Sequence, residues 1–95
     1  MITKVSKSSR KGKKMVAYFS NGRKTHFGQD GSKTYLDHKD KQKRKAYQAR
    51  HAIDIETQDP YRAGYLSLYL LWGDHTNLTD AVKAYNKRFF GLLQL

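Results

Sequence analysis

Cations set around a tyrosine are the clearest chemistry in this chain. Within residues 34–51, Lys39, Lys41, Lys43, Arg44, Lys45 and Arg50 surround Tyr47, and His51 closes the stretch. Ammonium and guanidinium groups neutralise phosphates and release their counterions, while a phenol ring stacks on an unpaired base. At about 100° per residue, a helix here puts Lys43, Arg44, Tyr47, Arg50 and His51 on one side, turned outward or toward a ligand. Tyr35, Gln42, Ala46, Ala49 and Ile53 fall on the other side. They form a mostly small-residue stripe that lets another element approach and is expected to face inward.

A second constellation is Asp37, His38 and Asp40, with His26 and His51 as further candidates. Metal-assisted phosphodiester cleavage needs two or three such ligands converging on one point. On a helix Asp37 and Asp40 share a face while His38 projects elsewhere. Capping explains both carboxylates, with Asp37 as N-cap and Asp40 three residues on. The expectation is therefore no metal, no cofactor and no catalytic residue. The chain holds no Ser/His/Asp arrangement, phosphate loop or dinucleotide fingerprint. It also lacks a zinc finger, a ribonucleoprotein motif or a basic zipper, so nothing reads base sequence.

Charge is segregated along the chain. Residues 1–51 carry eleven lysines and four arginines against three aspartates, a net +12, whereas residues 52–95 hold four cations against five acids, a net −1. The front half thus faces an acidic partner, whether nucleic acid, anionic lipid or an acidic protein face. The polyanion-binding set read from it is Lys4, Lys7, Arg10, Lys11, Lys13 and Lys14, then Arg23 and Lys24, then Lys43, Arg44, Tyr47, Arg50 and His51. The serine-spaced cations at the start also resemble a transit peptide, and residues 10–14 and 41–45 resemble nuclear-import patches. Neither signal is specific.

The elements that must position these groups make a small single α+β domain. At 95 residues the chain is near the lower end for a self-sufficient core, and without cysteine no disulfide can staple it. An oligomer or an assembly-bound subunit is expected. Residues 1–13 read as a basic arm that orders only against a partner or the body of the domain. Residues 14–95 read as the domain. Asn21-Gly22 between alternating segments predicts a hairpin over 14–28 with a two-residue turn, pairing Tyr18 with Thr25 and Val16 with Phe27. Val16, Tyr18 and Phe27 are the face expected to pack on a helix. Helices are predicted near 35–54, 60–72 and 78–90, the second opened by Asp59-Pro60 and stopped by Gly73, the third capped by Asn77. The longest apolar run, residues 63–73, is far short of the ~20 residues of a membrane span.

The segment 61–72 is apolar nearly all round, which marks a core helix or an interface. Tyr65, Tyr69 and Trp72, with Phe90, Leu92, Leu93 and Leu95 of the closing segment, are the candidates for meeting another protein. Core packing is the plainer reading of the same residues.

Phe19-Ser20-Asn21-Gly22, His26-Phe27-Gly28, His38-Lys39-Asp40, and Tyr47 with Arg50-His51 resemble a small uncharacterised family of large DNA viruses of algae and protists. Asp59-Pro60, Ala63-Gly64, Ser67, Leu70-Leu71-Trp72 and Lys87-Arg88-Phe89 continue the order, so the resemblance covers about residues 14–90. It implies a viral protein, without an assigned reaction. A small basic viral protein is most simply a non-enzymatic virion component, minor-capsid-like, located in the virion and in host cytoplasm or nucleus during infection. Its partners would be capsid or other virion proteins. The alternative is a nucleic-acid-binding protein acting on the genome in condensation, replication or repair.

Overall fold

The computed structural model describes residues 1–31, 33–53 and 58–91. Three strands, β1 (Ile2–Lys7), β2 (Lys13–Phe19) and β3 (Lys24–Gln29), form one antiparallel sheet in the order β1-β2-β3. Helices α1 (Tyr35–His38), α2 (Lys41–Arg50), α3 (Ala63–Leu66) and α4 (Leu78–Phe90) follow, and α3 runs on as a π-helical turn over Ser67–Leu71. The class is α+β, as the sequence predicts.

The basic arm orders against the body of the domain, and it does so as a strand of the sheet rather than as an appended segment. Residues 2–7 pair with β2 as an edge strand, because Ile2 and Val5 supply just enough apolar surface. The two differ in strand parity, and an irregularity between Ile2 and Lys4 brings both to the core side. The Asn86 side chain then clamps the strand: the Ile2 N–H donates to Oδ1 at 2.7 Å and Nδ2 donates to the Ile2 carbonyl at 2.9 Å. Lysines along β1 serve as the charged edge that keeps a strand from recruiting another chain.

The hairpin forms, but one residue out of the expected register. Gly22 N–H donates to the Phe19 carbonyl, so Ser20 and Asn21 are the central turn residues, and Gly22 follows at φ 86°. With Asn21 outside the left-handed region, the two-residue turn is not available and Gly22 takes the extra position. Tyr18 therefore pairs with Lys24, Val16 with His26 and Met15 with Phe27. A one-residue slip exchanges faces: Ala17, Phe19 and Phe27 enter the core, while Val16 and Tyr18 lie on the opposite face. Ser8 Oγ, just beyond β1, and His26 Nδ1 of β3 lie 2.6 Å apart, and Val16 is buried on that outer side.

Leu66, Leu70, Leu71, Ala81, Tyr85 and Phe90 complete the core with the sheet's inner face. The segment after Asp59 is a turn, in which the Asp59 carboxylate accepts from the Tyr61 N–H, and the helix begins only at Ala63. Asn77 caps α4, accepting from the Asp80 N–H at 2.9 Å. Tyr85 donates to the Pro60 carbonyl at 2.6 Å, and burial pushes its phenol far above its ordinary range, so it stays neutral. Among the described residues no helix is long and apolar enough to cross a membrane.

Candidate functional site

The long basic helix predicted over 35–54 is two helices with a break. Thr34 caps α1 and Asp37 stands at N3, its carboxylate accepting from the Thr34 N–H at 2.7 Å. Lys39 turns left-handed at φ 54°, and Asp40 becomes the N-cap of α2, accepting from the Gln42 and Lys43 N–H groups. His38 Nδ1 accepts from the Asp40 N–H at 3.0 Å, leaving the ring proton on Nε2, which is buried and finds no acceptor among the described residues. The constellation that offered metal ligands is thus occupied in capping. Among the described residues no group of three His, Cys, Asp or Glu side chains converges.

Helix α2 docks by the face expected to point outward. Arg44, Tyr47 and Gln48 recur at helical spacing, and each meets the body of the protein. Tyr47 stacks on Trp72 with centroids 4.4 Å apart and planes 6° from parallel, and His51 stacks on Tyr47 at 4.1 Å and 22°. Two near-parallel rings that close must occupy opposite faces of Tyr47, which makes a column His51–Tyr47–Trp72. Gln48 Nε2 donates to the Trp72 carbonyl at 2.8 Å. Arg44 pairs with Asp74 at 3.2 Å and lies 4.9 Å over the Tyr35 ring. The predicted inward stripe lies outside instead: Gln42, Ala46 and Ala49 are exposed and Ile53 is 70 % exposed. Of that stripe only Tyr35 is buried, on α1. Alanines offer little area, whereas one tyrosine stacked on tryptophan offers a great deal. That difference decides which face turns in.

Between the column, the sheet and the π-helical turn opens a cleft of about 640 Å³, lined among others by Gly12, Lys13, Gln29, Thr34, Tyr47, Arg50, His51, Ser67 and Trp72. Gly28, at φ 78°, forms part of its wall, where a Cβ would press on Leu71 at 3.0 Å and Lys14 at 3.1 Å. Two cations, two hydroxyls and an aromatic column around one groove suit a phosphate and a flat ring together. A smaller cavity of about 290 Å³ lies beyond Gln48, bordered by Tyr69, Asp74, His75 and Arg88.

Of the polyanion set, Lys13, Tyr47, Arg50 and His51 come together at this cleft. Arg10 and Lys11 are exposed in the β1–β2 turn, Lys7 ends β1, and Lys43 is exposed on α2. Lys4 and Lys24 lie toward the other end of the sheet, and Arg23 sits 4.2 Å over the Tyr61 ring. Arg44 is spent as a clamp rather than offered to a ligand, and Lys14 lies 3.7 Å from Asp37. Partial burial, then Arg10, Lys24 and Lys13, push His26 below the ordinary histidine range. The interface set fares differently. Tyr65 and Phe90 are buried in the chain's own core, and Tyr69 and Trp72 are half-buried against it. Leu92, Leu93 and Leu95 lie outside the described residues. Ser67 and Thr34 are cleft residues that the charge and aromatic pattern does not mark as binding residues, since each reads as an ordinary helix or cap residue.

The chain matches the profile of a family of unknown function, DUF5754, over residues 3–51, and it belongs to that family. Comparison with curated proteins and with solved structures gives no match. The matched stretch takes in β1 from its second residue on, β2, β3, α1 and α2, and nearly coincides with the half of the chain that carries the positive charge.

Proposed function

We propose that this DUF5754 member is a non-enzymatic polyanion-binding protein and that its polyanion is nucleic acid, bound without base specificity. The observation that carries the reading is the cleft, where Lys13 and Arg50 stand beside the His51–Tyr47–Trp72 column. The rings of the column already stack on one another, with Tyr47 covered on both faces, so a ligand meets the column at its ends. An acidic protein face would satisfy the same cations and leave those ends unused. Phosphate with unpaired bases uses both. The carboxylates and histidine best suited to cleavage chemistry are engaged as helix caps, which favours binding over turnover.

In the setting that the resemblance to proteins of large DNA viruses implies, the polyanion is the genome. The protein is then a small virion component packaged with it, present at many copies in purified particles. The interface half of the virion expectation has less support, because Tyr65 and Phe90 are already used in the core.

Fluorescence anisotropy of labelled DNA across a salt series tests the reading. Log affinity should fall linearly with log salt, and a Lys13→Gln, Arg50→Gln variant should lower the slope by about 1.5, at roughly 0.7–0.9 per phosphate contact. Binding that ignores salt, or no binding at low salt, would overturn it.

A further inference from the structure

The cleft lies at one end of the basic half, and the outer face of the sheet carries a different feature. Of the twelve aromatic residues, Tyr18 alone is exposed, at 38 %. Among the described residues its ring meets neither another ring nor a cation. It stands on the middle strand, and the register places Lys4 of β1 on one side of it and Lys24 of β3 on the other, both exposed. All three point away from the core, since the neighbouring Ala17 and Phe19 point into it. Strands lie about 4.8 Å apart, so the two lysine stems rise about 10 Å apart astride one ring.

Lysines on edge strands have a protective use of their own. An exposed ring on the middle strand has none, and neither ammonium group covers it. We infer that Tyr18 is a stacking platform for an unpaired base of a single-stranded nucleic acid, with Lys4 and Lys24 holding the phosphates on either side. A base inside a duplex has both faces covered by its neighbours, so this platform serves single strands only. The inference rests on the nucleic-acid reading above and adds to the cleft a second stacking site, on the sheet, that serves single strands.

The test compares labelled oligothymidylate with a duplex of equal length by anisotropy, using the full chain and its Tyr18→Leu, Tyr18→Trp and Lys4→Gln, Lys24→Gln variants. Far-UV circular dichroism checks each fold. Wild type should prefer the single strand. Tyr18→Leu should weaken single-strand binding about tenfold, within the range that one base–aromatic stack supplies, and leave duplex binding unchanged. Tyr18→Trp should bind single strands at least as tightly as wild type, and the lysine pair should lower the single-strand salt slope. Single-strand binding indifferent to Tyr18→Leu, or weakened by Tyr18→Trp, would overturn the platform while the nucleic-acid reading stands. Equal loss on both nucleic acids in Tyr18→Leu would do the same. Wild type that binds neither nucleic acid at low salt would remove both.

Discussion

Tyr47 and Trp72 lie face to face, their centroids 4.4 Å apart and their planes within 6°. This contact ties the basic helix α2, which contributes no fully buried residue, to the end of the π-helical turn. The i to i+5 bond from the Trp72 N–H to the Ser67 carbonyl widens the last turn. The residues it bounds, Ser67 and Trp72, both line the cleft. One stacked pair therefore holds the helix in place and forms a wall of the cleft.

Removing the ring should loosen both. Tyr47→Ala is expected to cost about 2 kcal/mol, below a fully buried aromatic truncation because Tyr47 is half-buried. For a domain of this size that lowers the Tm by about 10 °C. Trp72 is the single tryptophan, so its emission should shift as the stack is lost. Urea unfolding followed by both circular dichroism and fluorescence checks this. An unchanged midpoint would mean that Arg44 and Gln48 alone hold α2.

Gly73 is needed for space. A Cβ there would run into the Tyr69 carbonyl, a backbone atom that cannot swing aside. Gly73→Ala should therefore destabilise by about 2 kcal/mol, the usual scale for overpacking that forces a backbone shift. The same substitution at Gly91, where nothing lies within 4 Å, should be near neutral. Thermal melts of the two variants decide it.

The sequence made the hairpin, the α4 cap at Asn77 and the apolar α3 segment legible, because each rests on local chemistry. It misplaced the hairpin register because Asn21-Gly22 fits both a two-residue turn, which needs positive φ at Asn21, and a turn centred on Ser20-Asn21 with Gly22 following at positive φ. It misread residues 1–13 because two apolar residues of opposite parity do not alternate, and only the irregularity at Thr3 reconciles them. The inward face of α2 was reversed because periodicity ranks apolarity, while docking here depends on stacking and on Arg44 and Gln48 reaching carbonyls. Nothing in a uniformly apolar run distinguishes a π-helical turn from an α-helical one. The cleft, which depends on that turn, was legible only through Lys13, Tyr47, Arg50 and His51.

Acid should expose the role of Asp37. The Thr34 N–H, donating to its carboxylate, holds its pKa below the ordinary value of 3.8, and Lys14 assists against the opposing effect of partial burial. A carboxyl whose folded pKa is depressed adds stability that is present above the unfolded pKa and is lost as pH falls through the folded one. Below about pH 4 wild type should therefore lose stability more steeply than Asp37→Asn, which keeps an acceptor for Thr34 but does not titrate. Parallel denaturation curves for the two proteins would show that the cap carries no linkage.

His26 should make binding depend on pH. In the free protein, partial burial and the charges of Arg10, Lys24 and Lys13 hold its pKa below 6.5, and its Nδ1 lies 2.6 Å from Ser8 Oγ. A polyanion laid on these cations offsets their repulsion, and its own charge favours the imidazolium. The complex then binds a proton more readily than the free protein does, so affinity must rise as pH falls through the two pKa values. Binding to single-stranded DNA at fixed salt should tighten as pH drops from about 7.5 to about 5.5, around the ordinary histidine value, and His26→Gln should flatten the trend. Profiles that stay parallel in the two proteins would place the bound strand away from this face of the sheet.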